Sequence, residues 1–214
     1  MEYFLNAEGA TIVENIMTTI QENAAYLSEI DGAIGDGDHG INMRKGMTLC
    51  QEQLAGKQVD LTTAIKTLGR VLLTEIGGAM GPLYGTFFRE MAKASQGKEQ
   101  IDAGVLREML KAALAGIQSL GNAKVGDKTM IDTLAPAIEA YEAALNTGKN
   151  FQDALEDLKR AAEAGKESTR DLVAKVGRSS RLGERSRGVL DAGATSCWLI
   201  LRSMADSTIA LLKK

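Results

Sequence analysis

The chain has 214 residues and a formal net charge of −3, long enough for one domain with a real core and not basic enough for a general nucleic-acid binder. Hydrophobic residues make up 44% and aromatics only 4%, a balance rich in Ala and Leu that suits packed helices better than a β-sandwich. No apolar run reaches bilayer length, no signal peptide is visible, and Cys50 and Cys197 stand far apart in apolar runs, so the expectation is a reduced, cytoplasmic protein with no membrane partner.

In chain order, residues 10–30 place Ile12, Ile16, Ile20 and Leu27 on one helical face. A second helix is expected over 39–55. Asp60 is a good N-cap for a third, with Ile65, Leu68, Leu72 and Ile76 repeating before a stop at Gly77-Gly78. Pro82 suits the first turn of a helix over 82–95. Val105, Met109, Leu110, Leu114 and Ile117 define the next, which ends at Gly121. Thr129 with Asp132 resembles a capping box opening a helix over 130–146, which Pro136 should bend. Asn150 opens a helix to 176, and a last one covers 193–212. About eight helices and no strand are thus predicted, joined by short loops. The expected fold is all-α, an antiparallel bundle or barrel forming a single domain over 1–214. With no strand before any glycine-rich loop, a Rossmann or P-loop fold is unsupported.

Four glycine-rich loops carry the unusual residues: "DGAIGDGDHGIN", "GGAMGPLYG", "GNAKVGDKTM" and "VGRSSRLGERSRGVLDAGATS". They follow the first, third, fifth and seventh predicted helices. Alternate loops of an antiparallel bundle lie at one end, so all four should converge on one rim and build a composite site there.

Asp31, Asp36 and Asp38 fall within eight residues, where like charges repel unless a cation bridges them. An EF-hand loop wants oxygens at positions 1, 3 and 5, glycine at 6 and glutamate at 12. Counting from Asp31 meets Ala33, Gly35, Asp36 and Asn42 instead, and counting from Asp36 ends on Met47. A single histidine and two distant cysteines do not compose a usual zinc set. Magnesium suits these hard oxygens; a solvated acidic turn is the plain alternative. Arg178, Arg181, Arg185 and Arg187 cluster among glycines and serines. Guanidinium groups suit phosphate oxygens, though a basic solvated loop has the same composition. An acidic and a basic loop on one rim fit a magnesium–nucleotide polyphosphate. His39 could be a nucleophile, base, ligand or helix-start hydrogen-bonding partner. Met80 and Met130 suit either the core or a soft platform for an adenine ring.

Together "DGAIGDGDHGINM", "GGAMGPLYGTFF", "GDKTMIDTL" and "GRSSRLGERSRGVLDAGATS" resemble the nucleotide-binding L-subunit family (DhaL) of bacterial dihydroxyacetone kinases. The resemblance runs over nearly the entire chain, in family order and spacing. It implies a barrel of eight antiparallel helices holding tightly bound ADP or ATP at one end through two Mg²⁺ ions. By this resemblance Asp31, Asp36 and Asp38 are metal ligands. His39, Gly40, Ile41 and Asn42 line the phosphates; Ala79, Met80, Gly121, Met130, Arg178, Asp191, Ala192 and Gly193 are the remaining nucleotide contacts. Position 80 is Met where relatives often carry Ser, and position 192 is Ala where some carry Pro.

The implied chemistry is phosphoryl transfer to dihydroxyacetone held by a separate K subunit, with Asp36, Asp38 and Arg178 as the catalytic residues. In one version of the family a phosphohistidine donor subunit of the phosphotransferase system (DhaM-type) recharges bound ADP; the short separate chain favours it. In another, ATP exchanges freely, usually in a longer fused kinase, and the acceptor can be another small ketose. L subunits of this kind also dock onto transcription regulators, which makes a nucleotide-sensing module the rival reading.

Overall fold

In the computed structural model, residues 2–213 are described. A strand β1 (Tyr3–Leu5) and a 3₁₀ turn (Asn6–Glu8) lead into helices α1 (Ala10–Glu22), α2 (Ala24–Ile34), α3 (His39–Leu54), α4 (Leu61–Glu75) and α5 (Met80–Ser95). A second strand β2 (Gln100–Asp102) precedes α6 (Ala103–Leu120), α7 (Ile131–Asn146) and α8 (Phe151–Ser168). The 3₁₀ segments Thr169–Asp171 and Arg178–Ser186 then lead to α9 (Ala192–Leu212).

The helices form a closed ring in which α1, α3, α4, α5, α6, α7, α8 and α9 each pack on the next, and α9 returns to α1. Inside it, Ile16, Ile20, Met43, Met47, Leu68, Leu72, Phe87, Leu110, Leu134, Leu155 and Ile200 share one continuous core. The all-α arrangement of about eight helices expected from the periodicity, closed into the barrel that the resemblance implies, is therefore present, with two revisions. The first predicted helix is two: Asn23 turns its side-chain amide onto the Thr19 carbonyl at 2.8 Å, competing with the helical ladder, and α2 leaves the ring to pack on α3 and α9. The helix expected to reach 176 stops at Ser168, because the Lys128 ammonium takes the carbonyls of Thr169 and Leu172 that a longer helix would have used.

The strand pair was not predicted. Tyr3, Phe4 and Leu5 face Asp102, Ile101 and Gln100 in an antiparallel register. Each strand has only three residues, too few for alternation to show in the sequence; the pair seats buried Phe4 and Ile101 against the core. It lies at the barrel end where α4 and α6 begin.

α7 is assigned as one continuous helix through Pro136. Proline has no N–H to give the Asp132 carbonyl four residues back, and Gly165 of α8 packs directly on that carbonyl. An added Cβ at Gly165 would meet rigid backbone, with Thr133 Cα at 3.0 Å and Asp132 C at 3.1 Å. Gly165→Ala should therefore lower stability by about 1–3 kcal/mol, although helix propensity alone favours alanine. Urea denaturation fixes the sign: a variant more stable than the parent would mean that α7 and α8 separate freely.

Candidate functional site

The helices of the ring alternate in direction, so α3, α5, α7 and α9 all begin at one end. Their N-terminal flanking residues, Asp38, Ala79, Met130 and Asp191, line one cleft of about 260 Å³. Each helix start carries partial positive charge and unsatisfied N–H groups. At the opposite end three of the four starts are capped by side chains: Asp60 accepts from Thr63 N–H, Asp102 from Val105 N–H and Asn150 from Asp153 N–H, while α1 starts at Gly9 without one. At the cleft, α3 and α5 begin with no side-chain cap on their flanking residue. Side-chain caps thus predominate at one end, whereas at the cleft only α9 is capped by its flanking residue, and the remaining starts are suited to meet an anion.

Around this cleft the four glycine-rich loops do converge. Asp31 lies in the last turn of α2, Asp36 in the intervening turn and Asp38 precedes α3; one carboxylate oxygen from each lies within 4.8 Å of the others. The turn depends on glycine at two points. A Cβ at Gly35 would lie 2.6 Å from Asp31 Oδ1, and Gly37 sits at a φ of 75°, where side chains are disfavoured. A third glycine, Gly40, lets α3 pass over the Ala24 carbonyl where a Cβ would collide. The negative charge is partly met by Arg178, whose guanidinium pairs with Asp36. Of the four arginines of the basic loop, only Arg178 lines the cleft. Arg187 turns to Glu184 and the Asp171 carbonyl, and Arg181 and Arg185 are exposed.

The sequence-predicted residues divide by place. Asp31, Asp36, Asp38, His39, Ala79, Met80, Met130, Arg178, Asp191, Ala192 and Gly193 all line the cleft. Gly121 lines an adjoining pocket of about 360 Å³ with Pro82, Ile117, Leu120 and Ile131. That pocket shares Ala79, Leu83, Thr129, Met130 and Val176 with the cleft, so a polar and an apolar chamber lie side by side. Ile41 is 67% exposed and lines an outer groove with Ala24, Arg44 and Leu49. Asn42 spends its N–H on the Asp38 carbonyl, and Gly40 is buried against α2.

Two lining residues, Lys128 and Tyr84, were not singled out from the sequence, nor was Ser196 behind them. Lys128 is buried, holds the left-handed φ of 63°, and donates to the carbonyls of Thr169, Leu172 and Val189 at 2.6, 3.2 and 2.5 Å. It ties the loop before α7 to the segment before α9; desolvation lowers its pKa, with Asp191 opposing. Asp132 supports the same loop by accepting from the N–H groups of Gly126 and Thr129, so the expected capping box is realised through its acidic arm. Tyr84 and Ser196 form a buried pair with His39, at 2.6 Å between the hydroxyls and 2.8 Å from Ser196 Oγ to His39 Nε2. Ser196 does not line the cleft, and no sequence pattern marks a serine within an apolar helix as anything but filler.

Burial is the main influence on the titratable groups here. Desolvation pushes the His39 imidazole down to about 4, against the attraction of Asp31, so the ring is neutral. Desolvation pushes Asp191 up to about 6, while the Ala194 N–H and Lys128 pull it down; its carboxylate caps α9 through that N–H at 2.7 Å.

Residues 33–206 match the DAK2 domain family. A protein of Listeria innocua named PEP-dependent dihydroxyacetone kinase 1, ADP-binding subunit DhaL, is 42% identical over 89% of this chain and 91% of its own length. The chain belongs to the DhaL family of DAK2 domains. The Escherichia coli DhaL relative is 39% identical over 84% of this DhaL-family chain and 86% of its own length. Among solved structures, the dihydroxyacetone kinase of C. freundii in complex with AMP-PNP and Mg²⁺ superposes with a TM-score of 0.70 at 28% identity. It covers 97% of this chain, which in turn spans only 35% of that kinase. The L-subunit resemblance of the four loops is thus borne out across most of the chain.

Lys128→Met would leave three carbonyls without their shared donor and should cost about 2–4 kcal/mol, read by thermal denaturation. Protease cleavage should appear first within residues 169–191; unchanged stability would show the strut to be idle. A second expectation concerns pH. The folded pKa of Asp191, about 6, lies above the ordinary 3.8, so between these values the folded chain holds the extra proton and this group's contribution falls as pH rises. Asp191→Asn keeps an N-cap and removes that loss, so the variant should gain on the parent as pH rises from 4 to above 6 in urea denaturation series. A constant gap would contradict it.

Proposed function

We propose that this chain is the ADP-binding L subunit of a phosphoenolpyruvate-dependent dihydroxyacetone kinase, acting from the four-loop cleft. The reading rests above all on one observation: three clustered carboxylates, Arg178 and two uncapped helix starts meet at one mouth that opens into an apolar pocket. Phosphates would occupy the charged chamber and the purine the apolar one, with Met130 between them.

The donor set fits magnesium: all-oxygen, carboxylate and close enough for shared coordination. Asp31, Asp36 and Asp38 would hold the two Mg²⁺ ions that the resemblance implies, and bound there they would supply neutralisation of phosphate charge. The protein's own part is positional. The first-turn N–H groups of α3, at Gly40 and Ile41, and those of α5, at Met80, would present donors and a favourable dipole to the polyphosphate, while the His39 N–H leans on Asp31 at 3.4 Å. Met80 offers no hydroxyl, so its contribution is through backbone. Arg178 is placed to exchange Asp36 for the transferring phosphoryl group, whose charge it would then offset. Asp191, Ala192 and Gly193 bring the start of α9 to the cleft floor, and Gly121 lies on the base side.

Dihydroxyacetone would be carried by a separate K subunit that docks on this rim, and a phosphohistidine (DhaM-type) subunit would recharge the ADP. The chain is 42% identical to the Listeria innocua DhaL relative but 31% identical to a D-erythrulose kinase of Mycolicibacterium smegmatis, which supports the dihydroxyacetone reading over another small ketose.

Native mass spectrometry of the isolated protein should find ADP with Mg²⁺, retained through dialysis. Once stripped, the chain should gain about 2.7 kcal/mol of stability at ADP concentrations a hundredfold above Kd in the presence of Mg²⁺. Asp36→Asn combined with Asp38→Asn should abolish that gain and phosphoryl transfer, with the nucleotide-free melting temperature nearly unchanged. Rapid ATP exchange with full turnover would select the ATP-dependent version, and no response to nucleotide with Mg²⁺ would end the reading.

A further inference from the structure

We propose that Tyr84 and Ser196 are positioning residues that set the tautomer of His39, so that its Nδ1–H faces the cleft as a fixed donor to a phosphate oxygen. The proposal rests on the nucleotide reading above. His39, Tyr84 and Ser196 come from α3, α5 and α9, three of the four helices that start at the cleft. Ser196 is fully buried, and Tyr84 and His39 are 2% and 7% exposed.

The proton order follows from the contacts. Ser196 Oγ lies 2.6 Å from Tyr84 Oη and 2.8 Å from His39 Nε2. Both hydroxyls also lie near the Gly193 carbonyl, at the longer distances of 3.1 and 3.2 Å. That carbonyl stands in the first turn of α9 and already accepts the helix's own N–H four residues on; its second lone pair can take a further proton, but both of these contacts are the longer ones. Each hydroxyl then donates along its shorter contact, Tyr84 to Ser196 and Ser196 to Nε2. Burial holds the Tyr84 phenol well above its ordinary pKa, which keeps it a donor at the head of the relay. An Nε2 that accepts a proton bond leaves the ring proton on Nδ1.

Nδ1 has no hydrogen-bond partner within the described residues, is absent from the sealed, unpartnered polar atoms, and belongs to a ring that lines the cleft. The opposite tautomer would turn a bare lone pair toward a polyanion. Unconstrained neutral imidazole prefers the proton on Nε2, so the relay imposes the less common form. It does so on a ring that faces a ligand carrying acceptors only.

His39 is the only histidine of the chain, so imidazole ¹⁵N–¹H correlation spectra of the full-length labelled protein contain one ring. At pH 8, free of nucleotide, the parent should show protonated Nδ1 and unprotonated Nε2. Ser196→Ala and Tyr84→Phe should shift the ring toward the Nε2–H form and raise the Kd for ADP in the presence of Mg²⁺ about tenfold. An Nε2-protonated ring in the parent overturns the proposal whether or not either variant folds. Variants that keep the parental tautomer overturn the positioning role. A parent that binds ADP with Mg²⁺ yet carries the Nε2–H form defeats this inference alone, whereas a parent that binds no nucleotide defeats the reading beneath it.

Discussion

The structure turns on the common direction of four alternate helices. With α3, α5, α7 and α9 starting at one end, partial positive charge and unspent N–H groups accumulate there, and negative charge is drawn to the same place. Part of that charge is built in, as Asp31, Asp36, Asp38 and Asp191; the remainder is left for a ligand. The contrast with the other end is direct, because Asp60, Asp102 and Asn150 close the starts of α4, α6 and α8 with side-chain caps. Function and stability are thus segregated along the barrel axis.

Local rules and packing agree on how the site is held. Glycine appears where backbone must touch backbone or carboxylate, at Gly35 against Asp31, Gly40 against Ala24 and Gly165 against Asp132. Polar struts hold the loops: the Lys128 ammonium among three carbonyls and the Asp132 carboxylate on two N–H groups. Arg178 on Asp36 is a different kind of contact, an exposed pair of small net worth in water, and is correspondingly easy for an anion to displace.

Most of the barrel was legible because it is written in three- and four-residue spacing, and the composite rim followed from counting loops. Asp31, Asp36, Asp38 and Arg178 stood out because clustered charge among glycines has few structural uses. What escaped reading has physical causes. The break at Asn23 is a competition between a side-chain amide and the helical ladder, decided by a single bond. The end of α8 is set by Lys128, forty residues upstream in a loop, where no local pattern could show it. Ser196 and Tyr84 look like core filler on apolar helices, and only the meeting of α3, α5 and α9 gives them a partner in His39.

The departure of α2 from the ring has a mechanical consequence. The eleven residues of α2 carry Asp31 on an outboard arm that leans on α3 and α9 and contributes only Leu27 to the main hydrophobic interior, the rest of which comes mostly from the other eight helices. Stress from a crowded anionic bend is therefore absorbed by an appendage rather than by the vessel, and loading or emptying that bend can leave the surrounding walls undisturbed.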